Sequence, residues 1–429
     1  MRQRRAIRRK KDVFLNKVML TAILTAATML AGCNAREYER IELKESKAEE
    51  IIIDIEDNHA SVDSGIVIGQ ENGTEEMADQ DMAMAQGAAQ DMDQDAAPDT
   101  AQGAVQDAGS QQGHAQSDTL LFGGDVLLSS HVLNAYQKAG GIHGVLDEGY
   151  RNVIQNAGFF MVNEEFPFSS RGVQAEDKEY TFRLEPERVS IFQEMGIDAV
   201  TLANNHALDF GQEALLDSVA VLDGAGILHT GAGANLGEAR KPVATELGGR
   251  QVAVIGATRV IPESSWAAGK NHPGMLSSYD ATALLEEIRA QKDDGKMVIV
   301  YVHWGIEKDE RPQDYQRTLG QQYIDAGADL VIGSHPHVLQ GIEYYKGKPI
   351  VYSLGNFVFG SSIPRTMLLE VKPGPDTTLT LRLIPGTSGA GYTRMLNDTG
   401  KIREFYQYLE SISYGVHIGE DGTVIPQSQ

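Results

Sequence analysis

The chain has 429 residues, of which 41% are hydrophobic and 23% are charged, and its formal net charge at pH 7 is -23. This length accommodates one large domain with additional segments, and the lack of a basic patch argues against a nucleic-acid-binding protein. An anionic polymer would also be repelled from the surface, unless a bound cation or local arginines offset the charge.

The N-terminus has the order of an export signal. Basic residues precede an apolar run from Val18 to Leu30, which is short for a transmembrane span. The segment Leu30-Ala31-Gly32-Cys33 follows and resembles the lipobox of bacterial lipoproteins. It predicts that residues 1–32 are a signal peptide, that Cys33 is lipidated, and that the protein is anchored at the extracytoplasmic face of the cell membrane. The alternative is an uncleaved signal anchor with an incidental cysteine.

Residues 33–117 are predicted to be an acidic low-complexity tether. Their second half is rich in Gln, Ala, Asp, Gly and Met, and no Lys or Arg occurs between residues 48 and 137. Low hydrophobicity and charge of one sign prevent such a stretch from burying a core, so it is expected to be disordered. The composition favours a spacer over a cation-collecting acidic tail.

The globular part is predicted to begin at residue 118, with strands that alternate with helices. The predicted strands cover 119–122, 159–162, 198–202, 252–255, 297–302, 330–332 and 350–352. The predicted helices cover 187–195, 212–224, 282–292, 314–326 and 402–411. This alternation indicates an α/β domain with much parallel sheet over 118–365. Residues 366–429 are predicted to be a β-rich extension of the same domain, with antiparallel strands at 366–371 and 378–384.

Five candidate metal ligands each stand just past the end of a different predicted strand. They are Asp125, Glu165, Asn205, His303 and His335. In open α/β sheets, ligands bind outside the carboxyl ends of the strands, so residues from several strands can form a ring there. Carboxylate and imidazole ligands suit Mn, Zn or Fe, and a bridging carboxylate can hold two such ions about 4 Å apart.

The His335-Pro336-His337 segment offers two imidazoles at close spacing. A residue before proline prefers an extended conformation, and positions i and i+2 of an extended segment point to the same side. Both histidines are therefore expected to face one site. The alternative is a loop with two solvent-exposed histidines, and the presence of His303 and Asn205 favours the ligand interpretation.

Other polar residues are candidates for roles around the metals. His206 could donate a proton to a leaving group, and Asp209 could orient it. As an alternative, Asp209 could instead be the N-cap of the following helix. The candidates for binding substrate are Arg183, Glu307, Ser353 and Asn356.

Six motifs in chain order resemble the CapA family, whose members are capsule or poly-γ-glutamate synthesis proteins with a metallophosphatase-like domain. The motifs are Gly124-Asp125, Asn163-Glu164-Glu165, Asn204-Asn205-His206, His303-Trp304-Gly305, Ser334-His335-Pro336-His337 and Ser353-Leu354-Gly355-Asn356. The resemblance covers 118–365 and implies a four-layer α/β/β/α sandwich like that of metallo-dependent phosphatases. It places His206 at the proton-donor position. It also implies two divalent ions on Asp125, Glu165, Asn205, His303, His335 and His337.

The chain departs from the wider phosphoesterase pattern at one point. That pattern begins with Asp-x-His, whereas Asp125 is followed by Val126 and Leu127. Two functions therefore stay open. The first is a metal-dependent hydrolase that acts on an anionic envelope polymer or its precursor. The second is a non-catalytic assembly or export subunit, with other polymer synthesis proteins as partners.

Overall fold

The computed structural model describes residues 117–374 and 378–427. The predicted signal peptide, the lipidation site at Cys33 and the tether, up to residue 116, lie outside the described residues. Among the helices of the described part, none is long and apolar enough to span a lipid bilayer.

One mixed sheet combines strands from residues 120–230 with strands from residues 356–395. Its strands are β1 (Leu120–Val126), β2 (Phe159–Glu164), β3 (Ala199–Thr201), β4 (Leu228–Thr230), β13 (Asn356–Val358), β14 (Ser362–Pro373), β15 (Leu379–Gly389) and β16 (Tyr392–Met395). Their order is β16-β15-β14-β1-β2-β3-β4, with β13 also beside β1. Strands β1 to β4 run parallel, whereas β14 to β16 pair antiparallel, as predicted for 366–371 and 378–384.

The second sheet is built from the middle of the chain. Its strands are β6 (Val243–Leu247), β7 (Arg250–Thr258), β9 (Met297–His303), β10 (Leu330–Ser334), β11 (Leu339–Tyr345) and β12 (Lys348–Leu354). Their order is β11-β12-β10-β9-β7-β6, and the four inner strands are parallel. Two small ribbons pair β5 (Ala232–Gly233) with β8 (Gly274–Met275), and β17 (Val416–Ile418) with β18 (Val424–Pro426).

The helices confirm the predicted segments and add three that the sequence did not reveal. They are α1 (Ser130–Ala139), α2 (Glu148–Gln155), α3 (Val189–Met195), α4 (Gly211–Ala225), α5 (Leu236–Ala239), α6 (Thr282–Asp293), α7 (Asp314–Ala326) and α8 (Thr399–Ser411). The prediction missed α1, α2 and the short α5, although the N-caps of α1 and α2 are ordinary signals. Ser129 accepts a hydrogen bond from the Val132 N–H, and Asp147 accepts one from the Tyr150 N–H.

The apolar residues sort into three cores, which define four layers. On β1, Leu120 and Phe122 face the second sheet, and Leu121 faces α1 to α4. On β9, Ile299 faces the first sheet, and Val298 packs towards α6 and α7. Because alternate residues of a strand point to opposite faces and both faces are covered, β1 over 120–122 and β9 over 297–302 are apolar on both faces. The expected four-layer α/β/β/α sandwich is confirmed.

The two sheets meet where the chain leaves β12 and enters β13. Gly355 has a φ of 60° and its carbonyl accepts a hydrogen bond from the Asp125 N–H at 2.9 Å. A Cβ on Gly124 would lie 1.8 Å from that carbonyl oxygen, so only glycine fits there. This contact places Asp125 at the edge where both sheets present their carboxyl ends.

Candidate metal centre

Three buried residues from the two sheets form the first group of possible ligands. Asp125 stands near the end of β1, Glu165 directly follows β2, and His303 ends β9. One ligand atom from each lies within 4.8 Å of the others, and all three side chains are excluded from solvent. Residues distant in the sequence thus converge because parallel strands of both sheets end at this edge.

A second group adjoins the first on its solvent side. It consists of Glu307, His335 and His337, with ligand atoms again within 4.8 Å of one another. His335 is buried, His337 is half-buried and Glu307 is exposed. His337 Nδ1 lies 3.5 Å from Asp125 Oδ2 and 4.0 Å from Glu165 Oε2. An imidazole of the second group therefore contacts both carboxylates of the first group.

The histidine pair converges for a different reason from the expected one. The prediction of an extended backbone was wrong, because His335 has a φ of 98° and His337 a φ of 57°. Such left-handed conformations cost on the order of 1–3 kcal/mol each in a non-glycine residue. Two hydrogen bonds help to hold the turn, from the His335 N–H to Asp125 Oδ2 and from the Lys308 N–H to the Pro336 carbonyl.

Asn163 organises the buried group, and sequence reasoning did not single it out. Its Nδ2 donates to Asp125 Oδ1 at 2.8 Å and to Glu165 Oε1 at 3.1 Å, and lies 3.3 Å from His303 Nδ1. The signal was the alternation along β2. Asn163 and Glu165 stand two residues apart and share a face, whereas Glu164 points to the opposite side and accepts from Ser218 Oγ.

Tandem asparagines connect this group to the predicted proton donor. Asn205 Oδ1 lies 2.8 Å from His303 Nε2, which places Asn205 at the centre. Asn204 turns the other way. Its Nδ2 donates to Asn163 Oδ1 at 3.1 Å, and its Oδ1 accepts from the His206 N–H at 3.0 Å. The pair therefore fixes the loop that carries His206.

His206 is oriented by Asp209 and lies beside a lysine that the sequence did not reveal. Asp209 Oδ2 is 2.7 Å from His206 Nδ1 and accepts from the Phe182 N–H at 2.7 Å. Lys178 donates to Asp209 Oδ1 and to the Asn205 carbonyl, and its Nζ lies 3.0 Å from His206 Nδ1. Asp209 does not cap α4, whose N-cap position is Phe210. Lys178 lies in an irregular polar loop, where no pattern distinguishes it.

The electrostatics of the cluster suit a cation. Burial raises the pKa of Glu165 well above its usual range, and the nearby Asp125 raises it further. Burial lowers the pKa of His303 and of His335 well below the ordinary value, and the neighbouring imidazoles add to the effect. Burial by itself would lower the pKa of His337, but Glu165, Asp125 and Glu307 outweigh it and raise the pKa to about 10.

The donor chemistry fits a divalent metal. Glu165 Oε2 and His335 Nδ1 are buried atoms with no hydrogen-bond partner among the described residues, which is rare for polar groups in folded proteins. Both atoms are of a type that binds metals, a carboxylate oxygen in the first group and an imidazole nitrogen in the second. Neutral imidazoles with carboxylates are the ligands that Mn, Zn and Fe accept.

The four predicted substrate-binding residues lie in different surroundings. Glu307 belongs to the second group, and Asn356 Oδ1 lies 2.8 Å from His337 Nδ1. Ser353 Oγ donates to the Val338 carbonyl and accepts from the Gly355 N–H, so it satisfies the backbone. Arg183 stacks over the Phe210 ring at 4.2 Å and donates to the Arg171 carbonyl, and no contact of it with the two groups is found among the described residues.

Comparisons with known proteins agree with the motifs. The family model described as bacterial capsule synthesis protein PGA_cap matches residues 119–361. The capsule biosynthesis protein CapA of Bacillus anthracis is 33% identical over 258 residues, which cover 58% of this chain and 61% of that protein. The PGA biosynthesis protein CapA of Bacillus subtilis is 33% identical over 255 residues, which cover 58% of this chain and 66% of that protein. The match thus spans less than two thirds of these relatives' own length.

Two solved structures are also similar. The NAD nucleotidase of Haemophilus influenzae has a TM-score of 0.39 at 13% identity, covering 71% of this chain and 65% of that chain. A hypothetical protein from Thermus thermophilus has a TM-score of 0.37 at 14% identity, covering 65% of this chain and 100% of that chain.

Proposed function

The chain belongs to the PGA_cap family of bacterial capsule synthesis proteins, and from that premise we propose that it is a metal-dependent hydrolase. Its substrate would be a phosphoester or an amide in an envelope polymer of the capsule or poly-γ-glutamate type, or in a precursor of such a polymer. The observation that supports this proposal is the convergence of two adjoining ligand groups. They are Asp125 with Glu165 and His303, and Glu307 with His335 and His337.

A divalent cation held by these groups would polarise the scissile bond and lower the pKa of water. The chain's own residues prepare the site for it. Asn163 donates to both carboxylates and thereby orients Asp125 and Glu165. Ser334 Oγ lies 3.0 Å from His303 Nδ1, and an Nδ1–H bond to it would leave Nε2, which lies 2.8 Å from Asn205 Oδ1 and 3.6 Å from Glu165 Oε1, to bind the ion.

His206 is the residue that exchanges a proton with the leaving group. The Asp209 carboxylate can only accept, so His206 Nδ1 donates to it and Nε2 remains for the exchange. Burial lowers the pKa of His206, and Asp209 partly offsets this effect. The carboxylate therefore stabilises the imidazolium that exists before proton donation.

The proposal includes the place where the protein works. Lipidation of Cys33 would anchor the domain at the extracytoplasmic face of the membrane, and the acidic tether would let it reach the polymer. Other polymer synthesis or export proteins would be its partners there. Labelling with a radioactive fatty acid, compared between the natural chain and Cys33→Ala, tests the anchor; equal labelling would refute it.

Metal analysis tests the hydrolase proposal directly. The full chain, purified and reconstituted with Mn or Zn, is expected to retain a transition metal that His335→Ala loses. His417→Ala is the matched control, because His417 pairs with Glu410 on the exposed surface. If the natural chain and both variants are equally free of metal after reconstitution, the metal-dependent mechanism is wrong.

One observation favours a second candidate, a non-catalytic assembly or export subunit. Leu127, at the position of the histidine in the Asp-x-His pattern, is only 4% exposed and packs in the outer apolar core of the first sheet. It supplies no ligand. Complementation of a strain that lacks the gene separates the candidates, since His206→Ala should abolish the work of a hydrolase and leave a scaffold functional.

A further inference from the structure

An arginine beside the metal centre lacks the anion that such a residue ordinarily pairs with. Arg259 directly follows β7, and its backbone N–H donates to the His303 carbonyl at 2.7 Å. Its guanidinium lies 3.9 Å from the Tyr279 ring centre and 5.5 Å from that of Tyr315. No acidic partner for it is found among residues 117–374 and 378–427. Other arginines of the fold, such as Arg317 with Glu343, do have a carboxylate partner.

The two tyrosines are held in place by elements at or beside the metal centre. Tyr279 follows Ser278, whose N–H donates to the Thr258 carbonyl at 2.8 Å, and Thr258 ends β7. The Tyr315 hydroxyl accepts from the Gly305 N–H at 2.8 Å, in the loop between His303 and Glu307. Arg259 and Tyr315 are therefore tied to the end of β9 and to the loop that supply ligands, and Tyr279 is tied to the end of β7, the strand beside β9.

The arrangement leaves the edge of the guanidinium for a ligand. Tyr279 is 61% exposed and Arg259 is half-buried, so a ligand in solution can reach the pair. Aromatic rings on a guanidinium face restrict its motion and leave the N–H fork open, and that fork matches the two oxygens of a carboxylate or phosphate. Such a local cation also offsets the repulsion of an anionic polymer by an acidic chain.

We propose that Arg259, positioned by Tyr279 and Tyr315, is an oxyanion-binding subsite that holds a carboxylate or phosphate of the substrate next to the metal centre. This inference deepens the proposed function and rests on it for the identity of the substrate. The subsite would select anionic chains, whereas the metal centre would act on the bond beside the bound oxyanion.

Binding measured by calorimetry on the full chain in detergent tests the subsite. The probes are poly-γ-glutamate oligomers, the same oligomers as methyl esters, and inorganic phosphate. The oligomers should bind, the esters should not, and Arg259→Gln should weaken binding about 10- to 100-fold. If inorganic phosphate displaces the oligomers, the subsite accepts phosphate as well as carboxylate. If phosphate does not displace them, the subsite selects the carboxylate.

Matched variants separate this effect from charge and folding. Arg394→Gln removes the same charge from the exposed edge strand β16 and should leave binding unchanged. Arg259→Lys keeps the charge without the fork and should bind with intermediate affinity, and thermal melting checks that each variant folds. Equal weakening by Arg259→Gln and Arg394→Gln, or no weakening by either, would overturn the subsite, as would a natural chain that binds none of the probes.

Failure of the subsite and failure of the hydrolase proposal give different results. Metal content and hydrolysis are measured on the same preparations. Binding that depends on Arg259 in a chain without hydrolytic activity would support the subsite and reject the hydrolase. Hydrolysis of an anionic substrate with the same KM in the natural chain and in Arg259→Gln would support the hydrolase and reject the subsite.

Discussion

Asp209 Oδ2 lies 2.7 Å from His206 Nδ1 and fixes the direction of that imidazole. The same oxygen accepts from the Phe182 N–H, and the other oxygen accepts from Lys178. The carboxylate is fully buried and held from three sides, so it cannot rotate away. This relationship joins the loop at Lys178 to the loop at His206 and leaves Nε2 as the nitrogen that the proposed mechanism uses for proton exchange.

Asp209→Asn should therefore impair proton exchange while sparing the metal ligands. An amide can offer its NH₂ to His206 Nδ1, which favours the wrong tautomer and leaves Lys178 without its charge partner. We expect hydrolysis to fall by about 100-fold or more with unchanged metal content. The measurement is the steady-state rate on a phosphoester substrate. Asp217→Asn, in a surface pair with Arg171, is the control, and equal rates in both variants would contradict the assignment.

Asn163→Ala should weaken metal binding without removing a ligand. The change takes away the donor shared by Asp125 and Glu165, so both carboxylates lose their orientation and their mutual repulsion is less compensated. Loss of such a supporting hydrogen bond typically costs about 10- to 100-fold in metal affinity. Titration with Mn or Zn measures it, beside Asn152→Ala on the exposed face of α2. A metal affinity equal to that of the natural chain would show that Asn163 does not orient the two carboxylates for metal binding.

Gly124→Ala should destabilise the whole sandwich. The added Cβ would lie 1.8 Å from the Gly355 carbonyl oxygen. It would push β1 away from the segment that connects β12 to β13. We expect a loss of about 3 kcal/mol in the free energy of unfolding. Gly224→Ala is the matched control, because nothing lies within 4 Å of its added Cβ in α4. It should gain up to about 1 kcal/mol. Urea unfolding compares the two, and similar midpoints would refute the steric argument.

Asp329→Asn should reduce stability at neutral pH more than at acid pH. Burial would raise the pKa of Asp329, but Lys292, Lys348 and the Val298 N–H outweigh it and lower the pKa. A carboxyl whose folded pKa is depressed stabilises the fold above its unfolded pKa, about 4, and this stabilisation is lost as the pH falls through the folded value. We expect a deficit of about 1–3 kcal/mol at pH 7 that shrinks towards about pH 3. Urea unfolding at both pH values measures it, and a constant deficit would contradict the linkage.

Local sequence patterns were enough to predict the main alternating strands and helices and most of the residues that meet at the centre. Apolar runs, alternation and helix caps act over a few residues, so the strands ending at Asp125 and His303 and the helices α6 and α7 could be predicted. The position of each polar residue after a strand also indicated that they would gather at one edge. Signal peptide, lipid anchor and tether remain predictions from composition.

The atoms that meet at that edge could be identified only from the folded chain. Lys178 and Arg259 carry no local signal, and the alternation along β2 gives only the face of Asn163, because their contacts come from strands and loops far apart in the chain. The left-handed backbone of His335 opposes the local preference before a proline, and hydrogen bonds from elsewhere in the fold help to hold it. Local preferences select the elements. The packing of the two sheets, which depends on contacts between distant residues, selects the geometry of the site.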